Sequence, residues 1–280
     1  MRFRAEKLAA CAAALLLFII PPVVQAIDID FDTPPTQFNL IPGLIEVSGL
    51  ALAPDGALFA HNDEHAIVYK LDITTGAVTA AFALGTPTID ADFEGIAIAR
   101  DRIYLITSNG IIYESIIGAH KSRVKFNAYD TGVGDFCEVE GLTLGQTDTD
   151  FLIACKQAIS EALKQRLLIY RWDLNARLPV ESPVIDIAFD RFLAEDERKK
   201  FRPSALEYVR DTGEFIVVSA KGKSLYNFDR EGAVVTKTKL KKSLHKQPEG
   251  LALMPSGALV VSDEGKKNTP PKISIYRPKP

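Results

Sequence analysis

The sequence predicts an all-β protein: a five-bladed β-propeller with four antiparallel strands per blade, the last blade closed by a strand from the N-terminus. Three observations predict it. A short signature recurs five times at near-constant intervals, each copy is followed by turn residues and short apolar, β-branched runs, and the two ends of the array are incomplete in complementary ways.

The signatures are Glu46-Val47-Ser48-Gly49-Leu50-Ala51, Asp92-Phe93-Glu94-Gly95-Ile96-Ala97, Glu138-Val139-Glu140-Gly141-Leu142-Thr143, Arg202-Pro203-Ser204-Ala205-Leu206-Glu207 and Gln247-Pro248-Glu249-Gly250-Leu251-Ala252. Their Gly/Ala positions lie 46, 46, 64 and 45 residues apart, so one interval carries an insertion and the others agree. Turns such as Ala53-Pro54-Asp55-Gly56 follow, then second-strand runs (Ala57–His61, Ile103–Thr107, Phe151–Cys155, Phe215–Ser219, Ala258–Ser262). Third runs such as Leu167–Trp172 and fourth runs such as Ala77–Leu84 complete most units. A helical solenoid would show 3.6-residue periodicity through the repeat, and none is present. The last repeat stops after its third run, Ile273–Tyr276, while Thr36–Ile41 is an orphan run before the first signature. Pairing the two closes the ring and removes its open edges.

The interval between Asn175 and Lys200 is the insertion, with a short amphipathic helical stretch over Phe192–Lys200. It reads as a surface excursion whose charge run is solvated, with a lid or docking element as the alternative.

The first residues stand apart from the repeat. Arg2, Arg4 and Lys7 precede a 13-residue apolar run, Leu8–Ile20, that Pro21 and Pro22 end, and Val24-Gln25-Ala26 offers small residues at a cleavage point. The run is short for a membrane span. Residues 1–26 therefore read as a cleaved signal peptide and 27–280 as a single propeller domain, periplasmic or secreted. Leu8-Ala9-Ala10-Cys11 imitates a lipoprotein box but lies at the start of the apolar run, which disfavours a lipid anchor. The leader carries three basic residues and one acid, so the mature chain has 30 basic against 35 acidic residues and a net charge of −5. No basic stripe interleaves with aromatics, which argues against nucleic acid as the partner. Cleavage leaves one cysteine pair, Cys137 and Cys155, at the start of the third blade's first strand and the end of its second. Antiparallel neighbours bring both to one mouth, where they form a disulfide or stay as buried thiols.

In a propeller the first strand of each blade lies nearest the axis, so the residue before each Gly/Ala stands at one mouth of the channel: Ser48, Glu94, Glu140, Ser204 and Glu249. Alternation places Glu46, Asp92, Glu138, Arg202 and Gln247 on the same face. The antiparallel second strands return to this mouth with Asp63, Asn109, Lys156, Lys221 and Glu264. Three glutamates converging on an axis repel one another unless protons, cationic side chains or a metal neutralise them. Oxygen-only donors suit a hard cation, Ca²⁺ before Mg²⁺, held by Glu94, Glu140 and Glu249. A network in which Lys156 and Lys221 neutralise the carboxylates is the competing account.

Glu46-Val47-Ser48-Gly49-Leu50, Glu140-Gly141-Leu142-Thr143 with Ile153-Ala154-Cys155-Lys156, Pro203-Ser204-Ala205 and Gln247-Pro248-Glu249-Gly250-Leu251-Ala252, in this order and spacing, resemble the SdiA-regulated family of exported bacterial propellers, distantly similar to NHL-repeat proteins. The resemblance implies a five-bladed propeller with a calcium site and no settled activity. The calcium role carries over to Glu94, Glu140 and Glu249; Ser48 and Ser204 depart from the Glu-Gly element and offer at most hydroxyl or backbone oxygens.

Two functions follow as expectations. The first is a monomeric, calcium-stabilised binding module of the cell envelope, its partner a protein, peptide or small ligand. The second is a calcium-dependent hydrolase of the esterase, lactonase or phosphoesterase type, with Asp63 or His61 as base. No nucleophile elbow, phosphate-binding glycine loop, His-Glu-x-x-His or dinucleotide fingerprint is present.

Overall fold

A computed structural model describes residues 28–280, so the leader read over residues 1–26 lies outside the described residues. Five antiparallel blades surround one axis, as the repeat predicts. Blade one comprises Val47–Leu52, Leu58–Asn62, Ile67–Leu71 and Val78–Leu84; blade two, Phe93–Ala99, Arg102–Thr107, Ile111–Ile116 and Phe126–Asp130. Blade three comprises Cys137–Leu144, Asp150–Ala158, Arg166–Asp173 and Ile185–Ala188; blade four, Pro203–Val209, Glu214–Ser219, Ser224–Phe228 and Val234–Lys239. Blade five comprises Pro248–Leu253, Leu259–Asp263 and Lys272–Tyr276, completed by the N-terminal strand Thr36–Asn39. That strand pairs Thr36 with Ile275 and Asn39 with Lys272. It ends short of the expected Ile41 because Pro42 opens a 3-10 turn, Pro42–Leu44.

The signature acquires a physical meaning in the innermost strands. A Cβ on Gly95 would stand 2.6 Å from the Leu142 amide nitrogen and 3.1 Å from the Gly141 carbonyl carbon. One on Gly141 would stand 3.2 Å from the Leu206 nitrogen, and one on Gly250 3.1 Å from that of Leu50. Successive inner strands thus approach backbone to backbone, at a separation that only a missing or minimal side chain permits. At the same point each inner strand slips out of register with its second strand, between Val47 and Gly49, Phe93 and Gly95, Val139 and Leu142, Pro203 and Ala205, and Pro248 and Gly250. These are β-bulges, and the residue preceding each Gly or Ala is left outside the ladder.

Between the blades lie apolar cores of interdigitated side chains, with Tyr104, Phe151, Tyr170 and Trp172 buried between blades two and three. His245 is fully buried ahead of blade five, its Nδ1 2.7 Å from Asp263 Oδ2 and its Nε2 2.6 Å from the Tyr276 hydroxyl. It ties the incoming loop to the second and third strands of the closing blade.

Two features differ from the sequence reading. Arg123–Val124, in the loop between the third and fourth strands of blade two, adds a short parallel fifth strand beside Val78–Leu84 of blade one. The insertion is tied into the fold more firmly than a surface excursion. Its helix is confined to Glu195–Arg198, and Phe189, Leu193 and Phe201 are buried. Phe192 packs edge-on against Phe201 and Phe228. Aromatic rings separated by charged residues in sequence thus form one wall between blades three and four.

Cys137 and Cys155 form a disulfide, with Cα atoms 5.7 Å apart, linking the first two strands of blade three.

Gly95→Ala is expected to destabilise the fold by about 1–3 kcal/mol. Gly141→Ala is expected to cost less, because its Cβ meets a looser neighbour; urea denaturation that ranked the two equally would contradict this account of the ring. Cys137→Ser with Cys155→Ser removes a cross-link between residues 18 apart, and a loss of about 3 kcal/mol is expected. Calorimetry of the double variant against the oxidised wild type checks it, and the reduced wild type should match the variant.

Candidate metal centre at one mouth of the channel

The bulges decide what stands at the mouth. A cavity of about 480 Å³ opens there, and its walls include Ser48, Glu94, Glu140, Ser204 and Glu249, the bulged residue of each blade. Carboxylates far apart in the chain, from blades two, three and five, are thereby gathered around one space. Asp92, Glu138, Arg202 and Gln247 also line it; Glu46 does not, although its charge reaches Asp63. Of the second-strand ends, Asp63, Lys156, Lys221 and Glu264 line the cavity. Asn109 does not: its side-chain oxygen accepts a hydrogen bond from the Thr107 hydroxyl in blade two's own turn. Lys223, which the sequence reading did not single out, joins the wall from the turn after blade four's second strand.

The bulged residues differ in how they are satisfied. Ser48 Oγ donates to Glu94 Oε2 at 3.2 Å. Ser204 donates to the Pro248 carbonyl at 2.8 Å and accepts from the Ala220 amide at 3.1 Å, so its hydroxyl bridges blades four and five. Lys156 Nζ lies 2.9 Å from Glu140 Oε2 and 3.0 Å from Glu138 Oε1. The Glu140 contact is an ion pair without aligned hydrogen-bond geometry, and its Oε2 is otherwise unpartnered. Glu249 is 8% exposed and makes neither a hydrogen bond nor an ion pair among the described residues. Asp63 carries a buried Oδ1 with no partner. Lys156 thus serves the ion-pair network, whereas Lys221 makes no ion pair among the described residues.

Burial of like charges shifts these groups strongly. Burial, then Glu140 and Asp92, push Glu94 up to about 9 despite the Ser48 hydroxyl. Burial lifts Glu140 to about 7, with Lys156 opposing and Glu138 and Asp92 adding. Glu249 is driven well above the usual carboxylate range by burial, then by Glu140, Glu264 and Glu94. Glu264 rises to about 7 and Asp63 to about 6, each chiefly through burial and then neighbouring acids. Burial works against the Lys156 ammonium, but Glu140 and Glu138 more than offset it. Near neutral pH this mouth therefore holds protons that a cation would displace.

Among the described residues, no three His, Cys, Asp or Glu side chains stand close enough together to share one metal ion in this arrangement. His61, one of the two residues considered as a base, does not line the cavity. It is fully buried beside Gly49, its Nδ1 donates to the Asn62 carbonyl at 2.8 Å, and burial lowers its pKa to about 4.

These shifts set the pH response of the metal-free protein. The folded chain retains protons on Glu94, Glu140 and Glu264 that the unfolded chain releases near 4.5, so it binds more protons between 4.5 and about 9. Their stabilising contribution is full below that window and is lost as pH rises through it. Melting in chelator should therefore show a midpoint that falls from pH 5 to pH 9; a flat or rising profile would contradict the convergence of these carboxylates.

The fold is widely shared. A PQQ-bound aldose sugar dehydrogenase from Streptomyces coelicolor superposes with a TM-score of 0.58 at 13% identity, over 88% of this chain and 100% of that one. A glutaminyl cyclase from Myxococcus xanthus gives 0.57 at 12% identity, over 89% and 97%. A luciferin-regenerating enzyme gives 0.55 at 10% identity, over 87% and 95%. Identities this low carry the architecture alone. No curated protein sequence matches the chain. In sequence, the chain is similar to the SdiA-regulated family, whose model matches residues 196–270, from the insertion helix through the second strand of blade five.

Proposed function

We propose that the protein is a calcium-binding β-propeller that serves as a recognition module of the bacterial envelope, in the periplasm or outside the cell. The observation that carries the reading is Glu249, a nearly buried carboxylate facing a polar cavity with no partner of its own. Without a partner such a carboxylate keeps its proton, and a bound cation would take that proton's place. The donor set, carboxylates with a serine hydroxyl and no imidazole or thiolate, fits a hard oxygen-seeking cation. Glu94, Glu140 and Glu249 would hold the ion, and the spacing of their carboxylates means that uptake must draw side chains inward. Bound there, calcium would supply the charge that lets the three ionise together, and a point of attraction for an oxygen of the ligand. Lys156 keeps Glu140 partly neutralised until then, which limits repulsion in the ion-free protein. The disulfide accords with an oxidising compartment.

The hydrolase alternative needs a base beside the ion. With His61 sealed into blade one, Asp63 is the remaining one of its two candidates, and its unpartnered oxygen at the mouth keeps that reading testable.

Calcium should raise the melting midpoint of chelator-treated protein by roughly 5–10 °C at a hundredfold excess over Kd. Glu249→Gln, which keeps the shape and removes the charge, should abolish most of that rise. A wild-type midpoint indifferent to both chelator and calcium would overturn the assignment.

A further inference from the structure

A second cavity of about 270 Å³ adjoins the acidic mouth, and the two share Lys156 and Arg202 as a common wall. Its charge is of the opposite sign. Lys156, Lys164, Arg166, Arg198, Lys199 and Arg202 all line it, and no carboxylate does. Three segments build it: the end of blade three's second strand, the turn into its third strand, and the insertion. Gln165, between Lys164 and Arg166, adopts a left-handed backbone (φ 56°), unusual for a residue with a side chain. Its carbonyl accepts from the Phe189 amide at 2.8 Å, fixing the turn against the insertion.

Six cations around one space repel one another unless anions compensate them. Lys156 pairs with Glu138 and Glu140, Lys164 with Glu161 and Arg166 with Asp186; all four acids lie outside the cavity wall. Arg198, Lys199 and Arg202 have no carboxylate partner among the described residues. The two arginines are instead oriented by backbone carbonyls, Arg198 Nε by Leu193 at 3.3 Å and Arg202 Nη1 by Phe201 at 2.8 Å. Each keeps further guanidinium N–H groups for a ligand. Planar donor forks held in place, with lysines at the rim, are the chemistry that recognises phosphate.

We infer that this pocket is a phosphate-binding site, taking the ion itself or a phosphomonoester group on a small molecule. Lys164, Arg166, Arg198 and Lys199 do not line the acidic mouth, so the site does not depend on the calcium reading. It also gives the insertion a role: Arg198 and Lys199 close the pocket over a wall that blade three alone would leave open.

The test is calorimetric titration of the full mature chain, in chelator and at physiological ionic strength, with inorganic phosphate and separately with glycerol phosphate. Saturable binding of one equivalent is expected for at least one of them. Tighter binding of the ester assigns a carried phosphate group, and tighter binding of the free ion assigns phosphate itself. Arg198→Ala combined with Lys199→Ala should weaken binding about tenfold or more. Lys241→Ala with Lys242→Ala, an exposed basic pair outside the cavity wall, should change it by less than about twofold. Lys199→Ala alone removes only an exposed side chain and serves if the double variant does not fold; it should still weaken binding measurably. Absence of saturable binding to the wild type, or equal losses in the pocket and control variants, overturns the proposal.

Discussion

The contact between backbones of successive inner strands is the constraint on which the molecule depends. Where Gly95 meets Leu142, Gly141 meets Leu206 and Gly250 meets Leu50, five strands are drawn tightly around an axis. The same positions carry the register slips that push Ser48, Glu94, Glu140, Ser204 and Glu249 out of their ladders and into the mouth. Ring radius and site composition are thus set by one dipeptide unit. The small residue allows the approach, and the bulge it accompanies re-aims the residue before it.

The price of that arrangement is electrostatic. Burying glutamates beside glutamates raises their proton affinity; Lys156 pairs directly with Glu140 and acts on Glu94 and Glu249 only as a smaller opposing charge. Charge around the mouth is also uneven, since blades one, two and five contribute acids while blade four contributes Arg202, Lys221 and Lys223. A ligand entering here meets a dipolar surface, favouring a partner that offers groups of both signs or an anion accompanied by a metal ion.

Most of the architecture was legible because the repeat interval, the turn residues and the broken ends of the array are local features that a blade imposes on its own sequence. The mouth carboxylates followed from position within the signature. Strict alternation placed Glu46 at the mouth with its four equivalents, but it alone of the five stands off the cavity wall, and the bulge common to all five blades does not account for the difference. Asn109 was misplaced because the turn after its strand captures its side chain locally. The basic pocket was hidden in what reads as a solvated charge run, since only the burial of Phe189, Leu193 and Phe201 turns Arg198 and Lys199 toward blade three. The strand Arg123–Val124 had no signal at all, being two residues whose pairing is with another blade.

Thr36–Asn39 pairs with Lys272–Tyr276 across a sequence separation of more than 230 residues. Blades one to four can each assemble from contiguous chain, but the fifth waits for the final residues. The slowest loop closure is therefore also the last, and until it occurs the third strand of blade five offers an unpaired edge. A chain interrupted before Lys272 would retain four self-contained sheets and an open ring, so intactness of the whole polypeptide is registered at one seam.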